Sequence, residues 1–284
     1  KDLTIEGGKK GYEVIERFLN KANNFLSKNG IILMVFSSLT KKDKVEEFIE
    51  NNLLDFQELE RQHIFFEDIY IYLLRKNELL KKLESDGIIN VKYFTKGHRG
   101  LLFTGIYKNK KAVIKTKNPK SAAVGRIENE AKWLKRLGKC KISPKLFCIR
   151  DEYFVYEFID GHFIIDYIKK SGKNRIKKII KNVLNQMFIL DKLKIDKEEM
   201  HHPVKHVIIS KNRPYLIDFE RCHYSQKPKN ITQFCQFLIN NRIIEILKIK
   251  KFFVDKQKII QLAKIYKNNP SKANFKKIAG LVWE

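Results

Sequence analysis

Four cysteines, Cys140, Cys148, Cys222 and Cys235, are spread along 284 residues without a single C-x-x-C pair. That spacing argues against a zinc knuckle and a disulfide framework, and a reducing, cytoplasmic setting is the expectation. No apolar run approaches the roughly 20 residues of a membrane span, and no signal peptide is visible, so no membrane partner is expected. Acidic residues are scarce, 32 against 58 Lys and Arg, giving a net charge of +26. Such an excess suits proximity to RNA or the ribosome. It also suits a coding bias toward Lys, Asn and Ile, and the two readings stand side by side. With 43% hydrophobic and 32% charged residues the chain is globular rather than disordered, and long enough for two domains.

Within residues 1–76, Gly7, Gly8 and Gly11 open a loop, and Val14, Ile15, Phe18, Leu19, Ala22, Phe25 and Leu26 recur at helical spacing. Ile31 to Phe36 is a continuous apolar run, which predicts a strand buried on both faces. Thr40 and Asp43 mark the capped start of a second helix carrying Val45, Phe48 and Ile49. Strands around Phe56–Ile64 and Ile69–Leu74 complete the order helix, strand, helix, strand, strand.

Gly7-Gly8-Lys9-Lys10-Gly11-Tyr12-Glu13-Val14-Ile15, Gly30-Ile31-Ile32-Leu33 and the strand pair ending near Lys76 resemble the C-terminal third of a HemK-type, S-adenosylmethionine-dependent methyltransferase. The family's glycine-rich cofactor loop and its Asn-Pro-Pro-Tyr motif do not occur here. Residues 1–76 therefore cannot build a methyl-transfer site by themselves. The chain begins at Lys1 rather than at a methionine. Either it is a fragment of a methyltransferase fusion whose start lies upstream, or the segment is a remnant that only packs. S-adenosylmethionine enters only with an upstream segment. With it would come the activity this family implies, methylation of a translation-factor glutamine.

Residues 77–86 read as a short amphipathic linker helix. Beyond it, Gly97-His98-Arg99-Gly100 precedes the apolar strand Ala112-Val113-Ile114-Lys115, and Leu216-Ile217-Asp218-Phe219-Glu220 delivers a carboxylate to a strand end. A glycine can approach a phosphate closely because it has no Cβ, although Gly-x-x-Gly is equally an ordinary hairpin turn. A lysine for nucleotide phosphates and an aspartate for Mg²⁺ are the two charges a protein-kinase-type site requires. On the helix that follows, Glu130 lies roughly 60° from the centre of the apolar face and Glu128 about 100°, so Glu130 is the better candidate to turn inward and hold Lys115. Both glutamates as surface charges is the alternative. Tyr153 to Gly161 reads as a strand and turn, either a plain one or a hinge offering the backbone around Glu157 and Ile159 to an adenine edge.

From Ile88 to Leu238 the chain resembles the archaeal RIO-like predicted serine/threonine kinases. The resemblance implies ATP with Mg²⁺ or Mn²⁺, a protein substrate of unknown identity, and a kinase-like N-lobe over 87–156 followed by a C-lobe over 157–284. The whole is then α/β plus α+β: a partial class I methyltransferase sheet followed by a bilobal protein-kinase-like fold.

The pattern breaks at Met200-His201-His202-Pro203-Val204-Lys205-His206, where protein kinases carry H-R-D-L-x-x-x-N. Aligning His206 with that asparagine puts His201 in the base position and makes His206 a nitrogen ligand to a second metal, which favours Mn²⁺ over Mg²⁺. The alternatives are nucleotide binding without transfer, and a structural transition-metal site on His201, His202 and His206, joined by His223. Glu220 stands where a glycine is usual, which predicts a fixed loop without activation switching. Asn230 or Thr232 is expected to cap the next helix, and short basic helices finish the chain from Ile243.

Overall fold

The computed structural model describes residues 8–96, 100–117 and 126–281, a mixed α/β chain of antiparallel strand pairs and ten helices among those residues. It divides into two compact units, Lys1–Ser121 and Ala122–Glu284. The division falls beyond the glycine–lysine strand pair, not at the 77–86 linker or between residues 156 and 157.

In the first unit, α1 (Glu13–Phe25), β1 (Ile31–Ser37), α2 (Lys42–Asn51), β2 (Leu54–Ile64) and β3 (Glu67–Lys76) follow the order read from the sequence. The sheet order is β1-β3-β2, with β3 antiparallel to both neighbours, from Ile31 opposite Arg75 to Ser37 opposite Ile69 on one side. Leu19 of α1, Val45 and Ile49 of α2, and Met34, Phe36, Tyr72 and Leu74 of the sheet form one core. Each such side chain contributes about 1.5–3 kcal/mol by burial. β1 alternates instead of burying both faces: Met34 and Phe36 point in, while Leu33 and Val35 remain more than 60% exposed. The two helices cover one face of this sheet, and a period of two sends every second residue to the other. The start of α2 also differs from expectation. Thr40 donates to Ser37 O at 2.6 Å within a 3₁₀ turn, and Lys41 precedes α2 without a side-chain cap.

Asn77 caps α3 (Glu78–Ser85) by accepting from Leu80 N at 2.8 Å, and Leu80 and Leu83 are buried, so the linker helix belongs to this unit's core. β4 (Ile88–Lys96), β5 (Gly100–Tyr107) and β6 (Lys110–Lys117) then form an antiparallel meander.

The second unit is built around α6 (Lys173–Lys192), whose Ile176, Ile179, Ile180, Val183, Leu184, Met187 and Leu190 are fully buried at the spacing the sequence predicts. Before it come α4 (Arg126–Lys139), the hairpin of β7 (Leu146–Ile149) and β8 (Tyr153–Glu157), β9 (His162–Phe163) and α5 (Ile164–Lys170). α4 packs on both strands of that hairpin, which places the hairpin with this unit. After α6, β10 (Ile195–Asp196) pairs with β13 (His223–Tyr224), and β11 (Val207–Ser210) lies between β12 (Arg213–Leu216) and β9. Four short helices close the unit: α7 (Asn230–Leu238), α8 (Asn241–Ile249), α9 (Lys256–Asn268) and α10 (Lys272–Leu281). No helix among the described residues is long and apolar enough to cross a membrane.

Candidate functional site

The chemistry collects where two loops of the second unit meet, residues 197–206 between β10 and β11 and residues 217–222 between β12 and β13. Antiparallel pairing of β11 with β12 brings them together, and Ile217 N donates to His206 O at 3.0 Å just beyond the paired strands.

Lys197 is the anchor. It is buried, its Nζ donates to the backbone oxygen of Asp218 at 2.5 Å, and the ammonium lies 4.8 Å from the centre of the Phe219 ring. Burial holds its pKa below the ordinary lysine value, opposed by the carboxylates of Asp218, Glu130 and Glu199 and by Cys222. The backbone of Lys197 is fixed as well: its N–H donates to Asn230 Oδ1 at 2.8 Å. Asn230 is wholly buried and donates to Asp191 Oδ1 at 2.7 Å and to Ile195 O at 2.6 Å. The sequence suggested a helix cap for Asn230. Lys229 instead precedes α7 without a side-chain cap, and the Asn230 amide ties the backbone of Ile195 and Lys197 to the Asp191 carboxylate.

Asp218 adopts a left-handed backbone, φ +60°, which costs a residue with a Cβ about 1 kcal/mol or more, and its side chain is exposed. From the other side Asn129 of α4 holds the loop, donating to Glu220 O at 2.9 Å and Cys222 O at 3.1 Å while accepting from Trp133 Nε1 at 3.0 Å. Glu130, the next residue, is buried and Glu128 is exposed, as the helical phase predicts. Burial first, then the charges of Glu130 and Asp218, raise the Tyr156 phenol pKa.

His206 joins the two loops. Its Nε2 is 3.5 Å from Glu199 Oε2, and its Nδ1 is 3.7 Å from Asp218 Oδ2. Burial, then the Lys197 ammonium, push its pKa below the usual histidine value, so near neutral pH the ring is uncharged and these approaches are not ion pairs. Nδ1 is buried without a hydrogen-bond partner. A neutral imidazole nitrogen with nothing to bond, facing a carboxylate oxygen at 3.7 Å, fits two ligands of one divalent cation, whose bonds to N and O run about 2.0–2.2 Å. Glu199 is in turn held by Arg221, Nη1 to Oε1 at 2.9 Å.

The residues expected from sequence are brought together in part. Asp218 and His206 meet as anticipated. His201 does not join them: it is exposed, its ring packs against His202 at 5.7 Å, and it makes no side-chain hydrogen bond among the described residues. The side chain beside His206 Nε2 is that of Glu199, not His201. The reason is a turn closed by His202 N on Glu199 O at 2.8 Å, followed by a 3₁₀ turn begun by Pro203. These turns lengthen the segment, so that the acid before His206 lies seven residues back, not five. Pro203 after two polar residues was the available signal. Lys197 and Asn129 carried none, because a lysine in a charged run and an asparagine on a helix are ordinary. No group of three or more His, Cys, Asp or Glu side chains able to hold a metal occurs among the described residues, so the histidine-cluster alternative finds no support there.

In the first unit, Lys115 is half-buried on β6, opposite Leu102 of β5. Gly97 lies outside the described residues. A Cβ on Gly100 would come within 2.6 Å of Thr116 O, so close strand packing accounts for that glycine. Glu157 N donates to Lys145 O at 2.9 Å, which commits this backbone donor to the chain itself. Ile159 is half-buried after β8.

No protein-family model matches the chain. An uncharacterized protein of Methanocaldococcus jannaschii, MJ1211, is 32% identical to it over 76 residues, 27% of this chain and 65% of that protein's length. The chain thus spans somewhat under two thirds of that relative.

Proposed function

We propose that the chain is an ATP-dependent phosphotransferase of the atypical, RIO-like kinase type, joined to the sheet-forming end of a methyltransferase-like domain. The observation that carries this reading is the row Glu199–His206–Asp218, with an orphaned imidazole nitrogen beside an exposed carboxylate and a buried lysine beneath. Phosphoryl transfer needs mainly positioning and charge neutralisation, and Mg²⁺ or Mn²⁺ is commonly held by one or two protein ligands plus phosphate oxygens. Asp218 and His206 supply those two ligands. The cation they would hold neutralises the phosphates of the nucleotide.

Glu199 takes the role first given to His201. As the acceptor hydroxyl oxygen bonds to the γ-phosphorus and the bond to the leaving ADP oxygen breaks, the hydroxyl proton passes to the Glu199 carboxylate. Arg221 and His206 aim that carboxylate. Lys197 fixes the backbone of Asp218 without spending its side chain. In the same reading Lys115 is the phosphate-binding cation and Glu130 the carboxylate that orients it, with the 157–159 backbone toward the base.

The test is transfer from radiolabelled ATP with Mg²⁺ or Mn²⁺ by wild type, Asp218→Ala, Glu199→Gln and His201→Ala. Label incorporated by wild type and His201→Ala, and lost in the other two, is the expected result. Nucleotide binding without transfer in wild type would instead establish a pseudokinase, the reading favoured by Glu199 already being engaged with Arg221. Absence of nucleotide binding removes both.

A further inference from the structure

A cavity of about 840 Å³ opens on the second unit beside this row. Its walls include Glu199 and His206 but not Asp218. The cavity therefore gives an acceptor group access to the proton-accepting carboxylate, beside the His206 ring that Asp218 also approaches. A base must come within hydrogen-bond reach, about 2.6–3.2 Å, of the hydroxyl it deprotonates, so an acceptor group has to enter this space. The volume is ample for several side chains.

Charge selects among acceptors. The cavity is flanked by Lys205, on the 3₁₀ turn, and Lys229, just before α7, both exposed and neither in an ion pair among the described residues. The third cation, Arg221, is committed to Glu199, and Glu198 has His223 at 3.7 Å. Two ammonium groups outside any ion pair among the described residues thus share the cavity with the Glu199 carboxylate. Resting on the phosphotransferase reading, we propose that this cavity is the acceptor subsite and takes a hydroxyl-bearing residue within an acidic protein segment. Carboxylates flanking the hydroxyl fall to Lys205 and Lys229, and the hydroxyl falls to Glu199. RNA is disfavoured because no Phe, Tyr or Trp lines the cavity for base stacking.

Fluorescence anisotropy at low salt, without nucleotide, tests this with three probes: a labelled serine peptide flanked by Asp and Glu, the same peptide flanked by Lys, and single-stranded RNA. The expected result is binding of the acidic peptide in preference to both others, weakened about tenfold by Lys205→Glu with Lys229→Glu. Lys205→Gln with Lys229→Gln should give a smaller loss in the same direction, and circular dichroism confirms that both variants fold. Equal binding of the two peptides, or tighter binding of RNA lost in the same variants, overturns the proposal. Because binding is read without nucleotide, the two readings fail separately. Peptide binding with no ATP transfer removes the phosphotransferase and keeps the docking site. Transfer to the acidic peptide with KM unchanged by charge reversal removes the docking site and keeps the phosphotransferase.

Discussion

Two aspartates of the second unit face opposite fates. Asp191, on α6, accepts from Asn230 N at 3.1 Å, Asn230 Nδ2 at 2.7 Å and the Tyr266 hydroxyl at 3.0 Å, and it is buried. Asp218 is 44% exposed at its side chain, its backbone is left-handed, and the nitrogen facing it has no hydrogen-bond partner. Both carboxylates lie within a few residues of the same loops. Where a polar group only holds the fold, its partners are supplied by the chain. Where a group is left incompletely bonded, as His206 Nδ1 is beside the strained Asp218, the phosphotransferase reading has the missing partner come from outside.

The largest expected effect is on transfer. Asp218→Ala should lower phosphoryl transfer by about 10³-fold or more, since charge neutralisation carries most of this reaction. Transfer within tenfold of wild type would remove the distinction between the two aspartates. Next comes Glu199→Gln, expected to cost about 10²–10⁴-fold, the usual worth of a positioned base, while His201→Ala stays within about twofold. The reverse order in steady-state rates would restore the histidine as base.

How much of this could be read in advance divides along the same line. The α6 stripe, the inward Glu130 and the order of helices and strands along residues 13–76 follow from periodicity, because burial selects residue types at a fixed spacing. The nearness of Asp218 and His206 was anticipated from the kinase-like motif alone, and the structure achieves it through the antiparallel pairing of β11 with β12. Glu199 was missed because loop geometry, not spacing, decides which acid reaches His206, and the turns at Glu199 and Pro203 shift it by two residues. β1 was misjudged for a different reason. An apolar run states what can be buried, and whether a second layer exists lies elsewhere in the fold.

The structural aspartate gives the third expectation. Burial raises the Asp191 pKa to about 6, against 3.8 when unfolded, with the Asn230 and Tyr266 hydrogen bonds opposing that shift. Between those values the folded chain keeps a proton that the unfolded chain has released. Its contribution is therefore fully present below about pH 4 and is lost as pH rises through about 6, amounting to about 3 kcal/mol. Asp191→Asn cannot titrate. In urea unfolding at pH 4 and 7, the stability of wild type relative to this variant should fall as pH rises. A difference independent of pH would show that Asp191 stays ionised throughout.

The smallest effect separates strain from charge at Asp218. Asp218→Ala and Asp218→Gly lose the same carboxylate, the same attraction for the Lys197 ammonium and the same metal ligand, while Lys197 keeps its backbone acceptor in both. They differ in the left-handed φ, which glycine adopts freely and alanine does not. Asp218→Gly should therefore be about 1 kcal/mol more stable than Asp218→Ala by thermal or urea unfolding, with both inactive in transfer. Equal stabilities would mean that the left-handed turn relaxes once the carboxylate is gone. In that case the carboxylate itself holds the backbone in place, and the strain at residue 218 is a consequence of its contacts instead of a feature set by Lys197 and Asn129.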